Sequence, residues 1–196
     1  PGTDPAPLAD GSGGGEWAWL CVASLTPRKG HAVLFRALAR LESLAWRLRC
    51  VGGADLDPAT AAGLRTLAAE LGLTGRIEFL GQLEEAALAV EYQQADGFVL
   101  PSYYEGYGMA LAEALARGLP IVSTTAGAIP DTVPADAGLL VPPGDEAALA
   151  EALARIMTEP GLRARLAAGA RAARQGLPDW PTACARFAAV LEAIPA

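Results

Sequence analysis

The chain holds one histidine, one lysine, two methionines and three cysteines in 196 residues, and each scarcity excludes a class of chemistry. With a single imidazole, His31, no zinc site built on several histidines can form, and any histidine-based triad would have to use that residue. Cys21, Cys50 and Cys184 lie far apart with no CxxC pair. An odd number so spaced reads as buried free thiols, hence a reducing, cytoplasmic setting rather than a disulfide scaffold. No run of about 18 apolar residues offers a transmembrane helix, and the opening residues lack the charged-then-apolar order of a signal peptide. Positive charge is also short. Lys+Arg total 15 against 22 Asp+Glu, a net charge of −7, which disfavours nucleic-acid and anionic-membrane surfaces. Disorder is excluded by a 52% hydrophobic content and a mean hydropathy of +0.27.

What is present is alternation. Residues 1–16, PGTDPAPLADGSGGGE, have no apolar periodicity and read as a linker or hinge. Their GSGGG run resembles a phosphate loop but precedes the first strand, whereas a dinucleotide fingerprint follows a strand and opens a helix. From residue 17 onward, short apolar runs predict strands at 17–23, 48–51, 77–80, 97–100, 121–124 and 138–141. Helical periodicity lies between and after them, at 31–44, 58–71, 84–94, 107–117, 146–158, 162–175 and 182–193. Strands and helices alternating this regularly predict a parallel sheet with right-handed crossovers. The expected fold is therefore an α/β, doubly wound, Rossmann-like sheet of about six strands with helices on both faces, forming one domain over residues 17–196. Ligands of such sheets bind beyond the carboxyl ends of the strands.

Two strand ends carry charge. After the first comes Ser24-Leu25-Thr26-Pro27-Arg28-Lys29-Gly30-His31, a turn into a helix with two cations at the end where cations are normally disfavoured. It reads as an anion site suited to phosphate, or as a solvated basic turn. After the fourth comes Pro101-Ser102-Tyr103-Tyr104-Glu105-Gly106-Tyr107-Gly108-Met109, then a helix through Glu113. The amides of Gly106 and Gly108, with a helix start behind them, suit a diphosphate. Glu105 and Glu113, about two helical turns apart, suit neutral hydroxyls at two ends of an extended ligand. The alternative is an amphipathic helix with exposed glutamates. Gly52-Gly53-Ala54-Asp55, Gly81-Gln82-Leu83 and Thr124–Asp131 complete five strand ends with small or polar turns. A nucleotide lying across the sheet edge would require that pattern.

From about Trp17 onward these residues resemble the C-terminal, donor-binding domain of a GT-B-fold retaining glycosyltransferase, most similar to family 4. The most specific part is EGYGMALAE, Glu105 to Glu113, which resembles the family's E-x7-E motif. Thr26 to Gly30 resembles its basic KG turn, TTAGAIPDTV its G-G-x-P-E segment, PGTD the tail of the interdomain crossover, and Trp180 the tryptophan of its last helical region. The resemblance implies a catalytic pair. Glu105 would contact the donor-sugar hydroxyls, and Lys29 would bind the diphosphate and stabilise the leaving group. It further implies backbone amides from Gly106, Tyr107, Gly108 and Met109 near the diphosphate and sugar, Glu113 on the ribose, and Gln82 and Leu83 near the base. No metal would be needed, the donor being a nucleotide diphosphate sugar. The family's arginine at the first strand end is replaced here by Ser24, with Arg28 the available guanidinium. Ala128 stands for a glycine of the G-G-x-P-E segment and Asp131 for its glutamate. The N-terminal acceptor-binding domain is absent from this chain and is the expected partner, and any membrane contact would run through it. An apolar strip is therefore expected near residues 1–16 or the C-terminal helices. His31 is expected to cap or pack against its helix. The rival readings are a nucleotide-sugar epimerase, which E-x7-E with the KG turn disfavours, and a non-catalytic nucleotide-binding module. A nicotinamide oxidoreductase is disfavoured because no G-x-G-x-x-G follows the first strand.

Overall fold

The computed structural model describes residues 1–193. Six strands, β1 (Trp17–Val22), β2 (Trp46–Val51), β3 (Ile77–Gly81), β4 (Gly97–Leu100), β5 (Ile121–Thr124) and β6 (Gly138–Val141), pair entirely in parallel in the order β3-β2-β1-β4-β5-β6. The helices are α1 (His31–Ala39), α2 (Pro58–Glu70), α3 (Glu85–Gln93), α4 (Met109–Ala116), α5 (Ile129–Thr132), α6 (Glu146–Thr158), α7 (Pro160–Ala173) and α8 (Trp180–Glu192), and they cover both faces. α1 packs against α6 and α2, and α4 against α7.

The sequence of β1 explains its place. WAWLCV is apolar throughout, and Ala18, Trp19, Leu20 and Cys21 are all buried. A parallel strand covered on both faces needs that continuous run rather than alternation. β1 pairs with β2 on one side, Cys21 opposite Cys50, and with β4 on the other, Leu20 opposite Phe98. The order of connections reverses between β1 and β4, and at that point an open sheet leaves a crevice beyond its carboxyl edge. Trp19, Trp46, Tyr92, Phe35 and Phe98 are the largest fully buried side chains.

Several boundaries differ from the sequence expectation, each for a local reason. α1 stops at Ala39 rather than at residue 44. Its end tightens into three-residue turns, Arg40 N donating to Ala37 O and Leu41 N to Leu38 O, and the segment beyond is held from outside: Trp46 Nε1 donates to Leu41 O and the Arg76 guanidinium to Glu42 O and Leu44 O while stacking 3.8 Å over the Trp46 ring. β2 accordingly starts two residues early. α4 starts at Met109 rather than at residue 107, because Gly108 stands at φ 89, outside the helical region. α7 and α8 start earlier than expected, each with proline in its first turn, and Asp179 caps α8 by accepting from Thr182 N.

One cysteine corrects the expectation of three buried thiols. Cys21 and Cys50 are buried on β1 and β2, but Cys184 is exposed. It sits on α8, which buries none of its residues against the domain. Trp180, Phe187, Val190 and Leu191 are exposed along the same helix, an apolar strip at the expected place.

The first sixteen residues form no helix or strand, yet they are tied to the domain. Thr3 N donates to Pro178 O, Ala9 N to Arg117 O, Asp10 N and Gly11 N to Gln93 O, and Ser12 N to Asp96 Oδ1. Among the described residues no helix is long and apolar enough to cross a membrane.

Candidate functional site

Because β1 and β4 are neighbours, the loops that follow them adjoin at the carboxyl edge. Lys29 sits at the end of a single 3₁₀ turn, Pro27–Lys29, and places its Nζ 2.6 Å from Glu105 Oε1. Ser102 Oγ donates to the same oxygen at 2.6 Å. Arg28 donates to Tyr104 O at 2.6 Å and lies 3.8 Å from Glu105 Oε2. Tyr103 N returns a hydrogen bond to Arg28 O at 2.8 Å. Glu105 is only 6% exposed, the Lys29 side chain 15% and the Arg28 side chain 50%. The sequence reading gave Lys29 and Glu105 separate tasks, and the structure joins them as one short, sheltered ion pair. Removing either partner would strand a charge with little water to stabilise it.

Two glycines let the loops approach this closely. Gly30 adopts φ 72, and a Cβ there would overlap the Pro101 carbonyl. Gly127, after β5, adopts φ 56 with the Glu105 carbonyl in the place a Cβ would need. Both need the left-handed region and the space of a hydrogen. The third loop then closes on the second: Ala128 N donates to Glu105 O at 2.9 Å, Thr124 Oγ1 to Ser102 O at 2.6 Å, and Thr132 Oγ1 to Tyr107 O at 2.5 Å. Gly106 is exposed, Tyr107 half-buried and Gly108 buried at the start of α4, where unpaired amides gather.

Glu113 lies one helix further from the ion pair. It is half-buried and shares the lining of a cavity of about 180 Å³ with Gly2–Ala6, Leu88, Met109, Arg117 and Trp180. Its Oε2 accepts from Tyr92 Oη at 2.9 Å. Gln82, exposed, and Leu83, half-buried, follow β3 and do not line this cavity. The helix they lead into contributes Glu85 and Leu88 to its wall. Sequence reasoning assigned no role to Ser102, although it lies inside the quoted loop. Nor did it find Tyr92, whose partner is on another helix and leaves no local signal. Among the described residues no group of three His, Cys, Asp or Glu side chains could hold a metal ion.

His31 opens α1 but does not join the charged cluster. It is 2% exposed, with Nε2 3.6 Å from Cys21 Sγ. Burial, and secondarily the charge of Lys29, bring its pKa down to about 4. The unfolded chain takes up this proton near pH 6.5 and the folded chain only near 4. Stability is therefore complete above that window and falls as the pH drops through it, by about 3 kcal/mol from this group. His31→Asn should flatten urea-unfolding free energy between pH 4.5 and 7. Asp57 and Asp179, whose carboxyls are lowered by hydrogen bonds from Thr60 and Thr182, act only below that range. An unchanged slope in the variant would show that His31 does not stay neutral in the folded chain.

Comparison with known proteins places the chain in a family. Residues 9–173 match the family model described as glycosyl transferases, group 1. The chain is 38% identical over 158 residues to a D-inositol 3-phosphate glycosyltransferase of Xylanimonas cellulosilytica, covering 80% of this chain and 37% of that one. Sucrose-phosphate synthase from Thermosynechococcus elongatus superposes with a TM-score of 0.85 at 33% identity, over 97% of this chain and half of its own. HepE from Anabaena, solved with UDP and glucose, superposes with a TM-score of 0.83 at 25% identity, over 91% of this chain and 49% of its own. The chain thus spans less than half the length of the curated relatives it matches.

Proposed function

This chain belongs to the group 1 glycosyl transferases, and from that premise we propose that it is the donor-binding half of a retaining enzyme that moves a glycosyl group from a nucleoside diphosphate sugar to an acceptor. The observation that carries the reading is the Lys29–Glu105 pair, sheltered at the sheet's switch point beside the start of α4. A cation and an acceptor-only carboxylate side by side suit the two ends of the bond that breaks. Lys29 Nζ and Arg28, with the amides of Gly106, Tyr107, Gly108 and Met109, receive the diphosphate. Glu105, already oriented by Lys29 and Ser102, accepts hydrogen bonds from hydroxyls of the sugar. As the anomeric C–O bond opens, its electron pair stays with the diphosphate, and the added charge falls where Lys29, Arg28 and the helix amides are aimed. These fixed positive groups take the place of a metal ion in the reading.

Glu113 accepts from the ribose hydroxyls at the other end of the nucleotide, with Gln82 and Leu83 toward the base. The structural relative solved with UDP supports a nucleoside diphosphate as the leaving group. Acceptor recognition belongs to a further domain, for which the exposed apolar face of α8 is the proposed contact.

The test is calorimetric titration of this chain with UDP, GDP and ADP and their sugars. One nucleotide should bind, its sugar conjugate should bind at the same site, and the chain alone should transfer no sugar. Absence of binding by all three would overturn the reading, and transfer by the isolated chain would overturn the assignment of the acceptor site elsewhere. Within the same experiment, Glu113→Gln should weaken nucleoside and nucleoside diphosphate alike by about 10-fold, since charge-assisted hydrogen bonds are worth roughly 1.5–3 kcal/mol and the amide keeps part of them. Inorganic pyrophosphate, which has no ribose, should bind this variant as it binds the parent.

A further inference from the structure

Tyr92 is fully buried on α3, a helix that carries none of the sequence motifs. Its ring has two close neighbours. Phe98 of β4 stacks at 6.0 Å between centroids with 15° between planes, and the Arg117 guanidinium lies 4.3 Å from the ring centroid. A ring clamped this way cannot swing, so its hydroxyl has one place to be. Two acceptors face that hydroxyl, Glu113 Oε2 at 2.9 Å and Ala110 O at 3.3 Å. A phenol has one proton to give, and the shorter contact is the charged one. Burial, and then the neighbouring Glu113 charge, push the Tyr92 pKa well above its ordinary value, so the group remains a donor.

Glu113 is therefore asymmetric. One oxygen is engaged by a fixed donor, and its carboxylate takes no other hydrogen bond among the described residues. Arg117 Nη1, one turn further on at the end of α4, donates to the Glu113 main-chain carbonyl at 3.3 Å rather than to the carboxylate. Glu113 lines the cavity of about 180 Å³, a volume on the scale of a pentose rather than a whole nucleotide.

We propose that Tyr92 is a positioning residue for ribose recognition: its hydroxyl anchors Oε2 of Glu113 so that the carboxylate is presented to a vicinal diol in that cavity. This rests on the reading of Glu113 as the ribose carboxylate. A glutamate has three side-chain torsions to immobilise, each free in an unanchored side chain. The anchor removes that freedom before the ligand arrives, which is where preorganisation improves affinity.

The experiment takes whichever of UDP, GDP and ADP binds, written here as UDP, and compares it with its 2′,3′-dideoxy form, which lacks the diol. The wild-type chain should prefer UDP. Tyr92→Phe keeps the ring and its stacking and should lower that preference about 3- to 10-fold, the range of one net hydrogen bond, with dideoxy-UDP affinity unchanged. A ratio taken on one sample cancels any unfolded fraction. In a Glu113→Ala background, Tyr92→Phe should reduce the preference no further, since no side-chain acceptor is left for the hydroxyl to anchor. Equal losses on both nucleotides would mean that Tyr92 only supports the fold and would overturn the proposal. A second measurement needs no variant of Tyr92. Its hydroxyl proton, sheltered from water, should give a resolved downfield proton NMR signal that moves when UDP is added and stays when pyrophosphate is added. A signal indifferent to UDP would also overturn it. Failure of the wild-type chain to bind UDP, GDP or ADP would instead overturn the functional reading beneath it.

Discussion

Lys29→Ala should lower affinity for a nucleoside diphosphate by about 100-fold while leaving the nucleoside nearly untouched. Charge-assisted hydrogen bonds contribute roughly 1.5–3 kcal/mol each, and this ammonium is the most sheltered cation of the site. Its loss acts twice. The diphosphate loses a partner, and Glu105 loses the cation 2.6 Å from its Oε1, leaving a buried carboxylate that repels the incoming anion. The signature is in salt as well as in affinity. With a charge–charge contact removed, raising ionic strength should weaken diphosphate binding less than in the parent. Lys29→Arg should restore only part of the effect, because a planar guanidinium cannot occupy the position of a compact ammonium between Glu105 and a phosphate. Calorimetry with a nucleoside and its diphosphate at two salt concentrations reads all of this. Unchanged diphosphate affinity and salt dependence would reduce the basic turn to a solvated loop and make Arg28 the next residue to replace.

Gly30→Ala should be the most damaging single methyl group in the site. The backbone there stands at φ 72, and the added carbon would meet the Pro101 carbonyl rather than a side chain that could move aside. A left-handed alanine costs of order 1–3 kcal/mol and the collision a similar amount, so about 2–6 kcal/mol of stability should be lost. The relief available is displacement of the loop after β1 from the loop after β4. That also parts Lys29 from Glu105. Urea unfolding should show the loss of stability. Diphosphate titration of the folded variant should show weak binding with nucleoside binding retained. A variant with parental stability would mean that the two loops are not held in contact in solution.

The strands were legible in the amino-acid sequence because each is a short apolar run ended by glycine, proline or a polar turn, and those signals are local. Strand ends are local too. The basic turn at Arg28-Lys29, the glycine-flanked Glu105 and the later Glu113 could all be placed at the carboxyl edge before any contact was known. Alternation of strand and helix then implied a parallel sheet. Its order, with β1 beside β4, is a property of long-range pairing, and no single segment encodes it. That order brings Lys29 to Glu105 across 76 residues and gives Ser102 its role. Helix ends obeyed the same division. Pro58 and the capping Asp57 at the start of α2 are local features, whereas the segment after the early end of α1 is held by Trp46 of the next strand and by Arg76, distant in the chain. Cys184 looked as buried as Cys21 by composition, and only the lack of a covering layer over α8 left it exposed. Tyr92 could not be read from the sequence at all. An aromatic residue on a helix is ordinarily core, and what makes this one more is a carboxylate contributed by a different helix. Residue types and their spacing determined which groups stand at the sheet edge. The packing of strands and helices decided which of them touch, because hydrogen bonds and ion pairs depend on distances that sequence separation does not specify.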